Sequence, residues 1–347
     1  MHVGVTTPAD RQTWRDVLAT DPHALVTQTP AWLDCLCDVG GYADASRLYE
    51  LPDGRRLVLP LARRVGAGGI ATQASLPQSW GFGGLVAEGG LRPGDVQAVL
   101  GDIATSRSLR TSLRPNPLGA ESWAAALPSG AVAVPRLAHV LDLGGGFDRV
   151  WKERFSSNAR RAVQKAERSG LTVECDTTGR LVPVYYGLYE RSLERWADTL
   201  HEPLWLARLR ARRRDPQRKI EALARALGAA ARVWVASLDG RPAAAILVLR
   251  GANAHYTRGA MDRELAAPTR ANQLLHRLAI EDACTAGCRA YHMGESGTSS
   301  GLARFKEGFG ARPYRYAEYH LERLPFTATD RYVRSAVKRA IGFREAR

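Results

Sequence analysis

The 347-residue chain reads as an α/β protein of two successive units, each a mixed, largely antiparallel sheet flanked by helices. Three observations predict this. Helix-period and strand-period segments alternate along both halves. Each half holds an Asp-Gly turn between apolar runs, Asp53-Gly54 and Asp239-Gly240, which is a hairpin signal. Gly144-Gly145-Gly146 breaks the pattern near the middle. It lacks the lysine and downstream Ser/Thr of a phosphate loop, so it reads as a hinge. The expected division is residues 1–146, residues 147–325, and a basic C-terminal helix over 326–347.

In the first half, helices are expected around 15–19 and over 30–39, the second capped by Thr29 with Pro30 in its first turn. Strands at 45–50 and 56–64 flank the first Asp-Gly turn, and residues 65–69 form another turn. The glycines of SWGFGGL within 76–86 mark tight backbone turns or close approach by a ligand. A helix over 93–105 and strands at 109–117 and 132–143 complete this half.

The second half opens with a basic helix over 147–169 and a strand at 171–175. Tyr185, Leu188, Tyr189, Leu193 and Trp196 share one face of a helix over 181–199. A very basic helix over 204–228 is expected to kink at Pro216. Runs at 233–238, 243–250 and 254–259 read as an antiparallel meander. A helix at 274–286, a strand at 289–293, a short helix at 302–309 and a strand at 314–322 follow. The order of elements in the two halves is a weak structural repeat.

Hydrophobic residues make up 45% and charged residues 24%, a globular profile. No apolar run approaches the roughly 20 residues a membrane helix needs. The N-terminal MHVGVTTPADRQTW has no basic leader ahead of an apolar core, so a cytoplasmic location is expected. Five cysteines with no framework spacing argue against a disulfide scaffold. Cys284 and Cys288 lack a second ligand pair and read as small buried side chains, so no metal is expected. The net charge of +14 favours a polyanionic partner.

The stretch over 291–318 carries the most chemistry: a strand, a Gly/Ser loop, a helix with Phe305 and Lys306, and a Gly310 stop. A lysine held there is able to stabilise negative charge that develops during acyl transfer. Together with the run FSSNARRAVQKAERSG over 155–170 and GLARFKEGFG over 301–310, it resembles the FemAB-type transferases of the wider GNAT superfamily. Asp239-Gly240 and the apolar residues after it resemble the family's central hairpin. The resemblance covers most of 140–322 and, more faintly, 25–110. It implies tandem GNAT-like domains and acyl transfer to an amine. Characterised Fem enzymes take the aminoacyl group from a charged tRNA, and other members of the broader group use acyl-CoA.

Two donors remain open, with no resident cofactor expected in either case. The segment over 258–274 lacks the glycine-rich pyrophosphate turn of a CoA site, although Thr269-Arg270-Ala271-Asn272 opens a helix where a phosphate could bind. The basic stripes favour aminoacyl-tRNA: Arg160, Arg161 and Lys165 on one helix, Arg213 and Arg214 among seven cations on another. The expected acceptor is a small peptide or amine. Lys306 is the candidate for the oxyanion, with Phe305 as the wall beside it. Glu295 and His292 are candidate bases. Tyr256 and Arg258 alternate with Thr257, so a shared face that holds an anionic acceptor is expected of them. Trp80, in the glycine-rich turn of the first half, is a further candidate for substrate contact. Ser296, Ser299 and Ser300 have no paired His/Asp pattern, which argues against a serine nucleophile.

Overall fold

A computed structural model describes residues 3–297 and 299–343. The end of the expected tail helix, 344–347, and Thr298 of the Gly/Ser loop lie outside them. The chain forms two compact units: residues 1–137 with 314–335, and residues 138–313 with 336–347. The division therefore falls inside the strand Val132–Asp142 rather than at the triple glycine, and strand Arg312–Glu322 also crosses it. The reason is pairing. Residues 138–142 form a ladder with 290–295, whereas residues 319–322 pair with 110–113.

The first unit holds a four-stranded antiparallel sheet made of Gly4–Thr6, Arg47–Glu50, Arg56–Leu59 and Val86–Ala87. Ala62–Val65, Ala71–Ser75 and Arg110–Leu113 pair separately, the last two in parallel. The single strand expected over 56–64 is thus two, because Pro60 has no N–H for a ladder. Helices Arg11–Thr20 and Pro30–Gly40 start at Asp10 and Thr29, whose side chains accept from Thr13 N and Trp32 N. The glycine run makes tight turns, with φ +84° at Gly81 and +76° at Gly84, and packs against neighbouring backbone. A Cβ on Gly83 would lie 2.5 Å from the Ser75 carbonyl carbon. The helix Ala120–Ala125 is not legible in the sequence pattern.

The second unit is a mixed sheet with helices on both faces. Leu171–Asp176, Ala231–Leu238, Arg241–Arg250 and Ala254–Met261 form an antiparallel meander. Ala290–Glu295 joins its edge in parallel, and residues 138–142 close it. One face packs on helices Ser157–Glu167 and Ala271–Thr285 through Ile246, Val248, Leu275 and Phe309. The other packs on Val182–Leu200 and Gln217–Leu227 through Leu247, Ala245, Tyr185 and Ile220. The residues alternate between the two faces along strand Arg241–Arg250, as a two-residue repeat requires.

One helix expected as continuous is broken, and the one expected to kink at Pro216 is divided there. The 147–169 segment is a short helix Gly146–Arg149, a π turn Val150–Arg154, an extended Phe155 and then Ser157–Glu167. Ser156 caps the last piece through Ala159 N, and its own N–H donates to the Gly308 carbonyl. The 204–228 segment is two helices, Leu204–Arg214 and Gln217–Leu227, separated by Asp215-Pro216. No described helix is long and apolar enough to cross a membrane.

Candidate functional site

Parallel pairing between Ala254–Met261 and Ala290–Glu295 lasts for only two residues, Ala254 with Tyr291 and His255 with His292. Beyond them the strands part. The register against residues 138–142 also shifts between His292 and Glu295, and Gly294 takes φ +69°. This bulge turns the strand end away from an even ladder. It leaves the Gly294 and Glu295 carbonyls to find other donors.

Lys306 supplies them. The Ser299 side chain caps helix Ser300–Gly308 through Leu302 N, and Lys306 lies on its inner side, only 1% exposed. Its Nζ donates to Gly294 O at 2.9 Å and to Glu295 O at 2.7 Å. An ammonium has three donors, so the two carbonyls leave one. Burial pushes the Lys306 pKa down to about 8, opposed by the nearby Glu295 carboxylate. This lysine is therefore not an ordinary solvated helix residue.

Aromatic rings surround the site. Phe305 packs edge-on to His276 at 5.4 Å and to Phe309 at 5.2 Å. Tyr256 meets His276 at 4.6 Å. Burial, with the Lys306 charge adding to it, pushes the His276 pKa down to about 3, so this ring stays neutral. Gly310, at φ +85°, fixes the far end of the helix. Its α-carbon sits so close to Arg154 that a Cβ would lie 2.6 Å from the Arg154 carbonyl oxygen.

A third group completes the site. Ser296 Oγ lies 3.3 Å from His139 Nδ1, and His139 Nε2 faces Glu307 Oε1 at 3.5 Å. His139 is on the closing strand, opposite the shifted strand end. Burial, and then the Lys306 charge, pull its pKa below the usual imidazole value, while Glu307 opposes them. Sequence reading missed His139 because 157 residues separate it from Ser296. The one signal is a polar ring in the apolar run AHVL.

The structure thus gathers Lys306, Phe305 and Glu295 at one strand end, with Tyr256 one ring away. It does not bring Arg258 there. A bulge at Thr257 pairs Tyr256 with Val248 and Arg258 with Leu247, so the expected shared face is lost. Tyr256 packs with the Ile246–Val248 side, and Arg258 lies on the opposite face. There Arg258 pairs with Asp215 at 2.5 Å, donates to the Tyr189 hydroxyl and stacks over that ring. Lys219 binds the same carboxylate at 2.9 Å. His292 is fully buried in the sheet, edge-on to His255. Trp80 is buried in the first unit against Trp32, whose indole donates to the Trp80 carbonyl.

The basic candidates also divide. The Arg160 guanidinium donates to the carbonyls of Trp151, Lys152 and Phe155 and so caps the π turn. Arg161, Lys165, Arg213 and Arg214 are exposed. Helix Ala271–Thr285 begins at Arg270, φ +58°, with no side chain capping its first N–H groups. Among the described residues no cluster of His, Cys, Asp and Glu could hold a metal ion.

Residues 153–307 match the model of the acetyltransferase (GNAT) domain family. No curated protein matches the sequence. Among solved structures the chain is similar to FemX, with TM-score 0.62 and 13% identity over 92% of this chain and 97% of that one. It is also similar to the C-terminal domain of a putative lysylphosphatidylglycerol synthetase from Agrobacterium fabrum. That match has TM-score 0.52 and 14% identity over 94% and 95% of the two chains. A conserved protein of unknown function from Bacteroides thetaiotaomicron gives TM-score 0.50 and 10% identity over 92% and 98%. The FemAB-type GNAT resemblance and the α/β class read from the sequence accord with these matches.

Proposed function

We propose that this chain, which has the fold of FemX and carries a GNAT acetyltransferase domain over 153–307, forms an amide bond by acyl transfer to a primary amine. The observation that carries this reading is the buried Lys306 ammonium at the parted strand ends. Attack of a neutral amine on an ester or thioester creates an oxyanion. A fixed cation in a dry site stabilises that charge far more than water-exposed groups do. Glu295 keeps the ammonium charged, and Phe305 with its neighbouring rings keeps water away.

The favoured donor is aminoacyl-tRNA, with a small peptide or amine as acceptor. Exposed Arg161, Lys165, Arg213 and Arg214 support it, since such cations bind phosphates without reading sequence. A structural neighbour named as a putative lysylphosphatidylglycerol synthetase is in keeping with an aminoacyl substrate. Acyl-CoA is the second reading. The uncapped start of helix Ala271–Thr285 favours it, because free helix N–H groups bind phosphate.

The test is to offer the pure protein labelled charged tRNAs in one arm and labelled acyl-CoA in the other, each with pooled amine acceptors. Label should move to an amine in the tRNA arm, and Lys306→Ala should stop it. Transfer from neither donor contradicts the reading.

A further inference from the structure

Ser296, His139 and Glu307 form a line that starts at two buried side chains and ends at the surface. Ser296 is 4% exposed, His139 is fully buried, and the Glu307 side chain is 47% exposed. In a serine nucleophile triad the serine needs to reach the substrate and the carboxylate sits inside. Here the carboxylate is at the surface. The line is therefore arranged to carry a proton outward rather than to hold an acyl group.

We propose that Ser296–His139–Glu307 is the exit route for the proton that the acceptor amine loses. This rests on the proposed acyl transfer and replaces Glu295 and His292 as the proton acceptor. In this route His139 carries its proton on Nε2, so the Ser296 O–H donates to Nδ1 across 3.3 Å, while Nε2 lies 3.5 Å from Glu307 Oε1 with no hydrogen bond formed. As the amine nitrogen forms its bond to the carbonyl carbon, it passes a proton to Ser296 Oγ. The serine passes its own proton to Nδ1, and Nε2 releases one to Glu307 and on to solvent. The bond from the carbonyl carbon to the leaving oxygen or sulfur breaks, and that atom takes a proton from Lys306. Solvent then restores the Lys306 proton, so the overall reaction neither gains nor loses one.

Three features support this route over a merely structural tie. The register shift that bares the Lys306 carbonyls also sets Ser296 beside the His139 strand, so both devices meet at one strand end. The charged groups acting on His139 are Lys306 and Glu307, both from helix Ser300–Gly308. Their charges are opposite, and burial adds to the Lys306 effect, so the ring rests neutral and able to accept. The 3.3 and 3.5 Å separations are those of a relay that tightens when substrate binds.

The experiment compares wild type with His139→Gln, Glu307→Gln and Ser296→Thr, using whichever donor supports wild-type transfer. Gln is close to His139 in size but has no group that accepts and releases a proton near neutral pH. His139→Gln should lower kcat by about 10²-fold or more with KM little changed. It should also erase the acidic limb of the pH profile. Glu307→Gln, at the surface where folding is not at risk, should lose rate by a smaller factor. Ser296→Thr, which keeps the hydroxyl, should lose far less rate than His139→Gln. A transferring wild type whose His139→Gln form keeps its rate and pH profile overturns the route and leaves the acyl-transfer reading standing. A wild type that transfers from neither donor overturns both.

Discussion

Lys306 Nζ stands 2.9 Å from the carbonyl oxygen of Gly294, a residue whose φ of +69° turns that carbonyl out of the sheet ladder. One side chain therefore repairs a break in the sheet and sets a cation at the break. Under the proposed acyl transfer, stability and activity are joined at this contact. Lys306→Met should leave two buried carbonyls without a donor and cost roughly 1–3 kcal/mol of stability. Thermal unfolding at fixed pH measures it.

The same lysine has a pH signature. Its folded pKa, about 8, lies below the ordinary value of 10.5, so between these two the unfolded chain binds more protons. The Lys306 contribution therefore penalises the folded state fully below pH 8 and relaxes as pH rises toward 10.5. The stability gap between wild type and Lys306→Met should change in favour of wild type over that window. Paired denaturation curves at pH 7 and pH 10 check it.

Asp215 has the opposite sense. Although its burial works the other way, Arg258 and Lys219 hold its carboxyl below the usual value. Its stabilisation is present above the unfolded pKa and is lost as pH falls through the folded one. Asp215→Asn should strand two cations on the outer face of the sheet and cost about 3–5 kcal/mol. It should also flatten the acid limb of the stability profile, which urea titrations at pH 3 and pH 7 would read.

Arg160 and Arg161 are neighbours with different fates. Arg160→Ala should lower the melting temperature, because two carbonyls of the π turn and that of Phe155 lose this donor. Arg161→Ala with Lys165→Ala should leave melting unchanged. Under the tRNA reading it should weaken tRNA binding and reduce the salt slope by about one to two. Filter binding across a salt series separates the two outcomes.

Local chemistry made much of this legible. The Asp239-Gly240 turn takes φ of +49° and +74°, as an Asp-Gly hairpin turn requires, and the meander follows it. Thr29 and Pro30 start their helix where the letters say. Lys306 was identifiable from its Phe-Lys-Glu-Gly setting, though not its burial. What escaped depends on contacts remote in sequence. The break at Phe155-Ser156 answers to the Gly308 carbonyl, over 150 residues away. The bulge at Thr257 has no signature in Tyr-Thr-Arg, yet it moves Arg258 to the other face. His139 gains meaning only once the sheet places it beside Ser296.

The central claim is that the Lys306 ammonium stabilises the charge formed in acyl transfer. The most direct measurement is single-turnover transfer from the pre-bound donor by wild type and by a folded Lys306→Met variant. The account predicts a fall of about 10²–10³ in the transfer step with donor affinity little changed. A folded variant that transfers at the wild-type rate would contradict it.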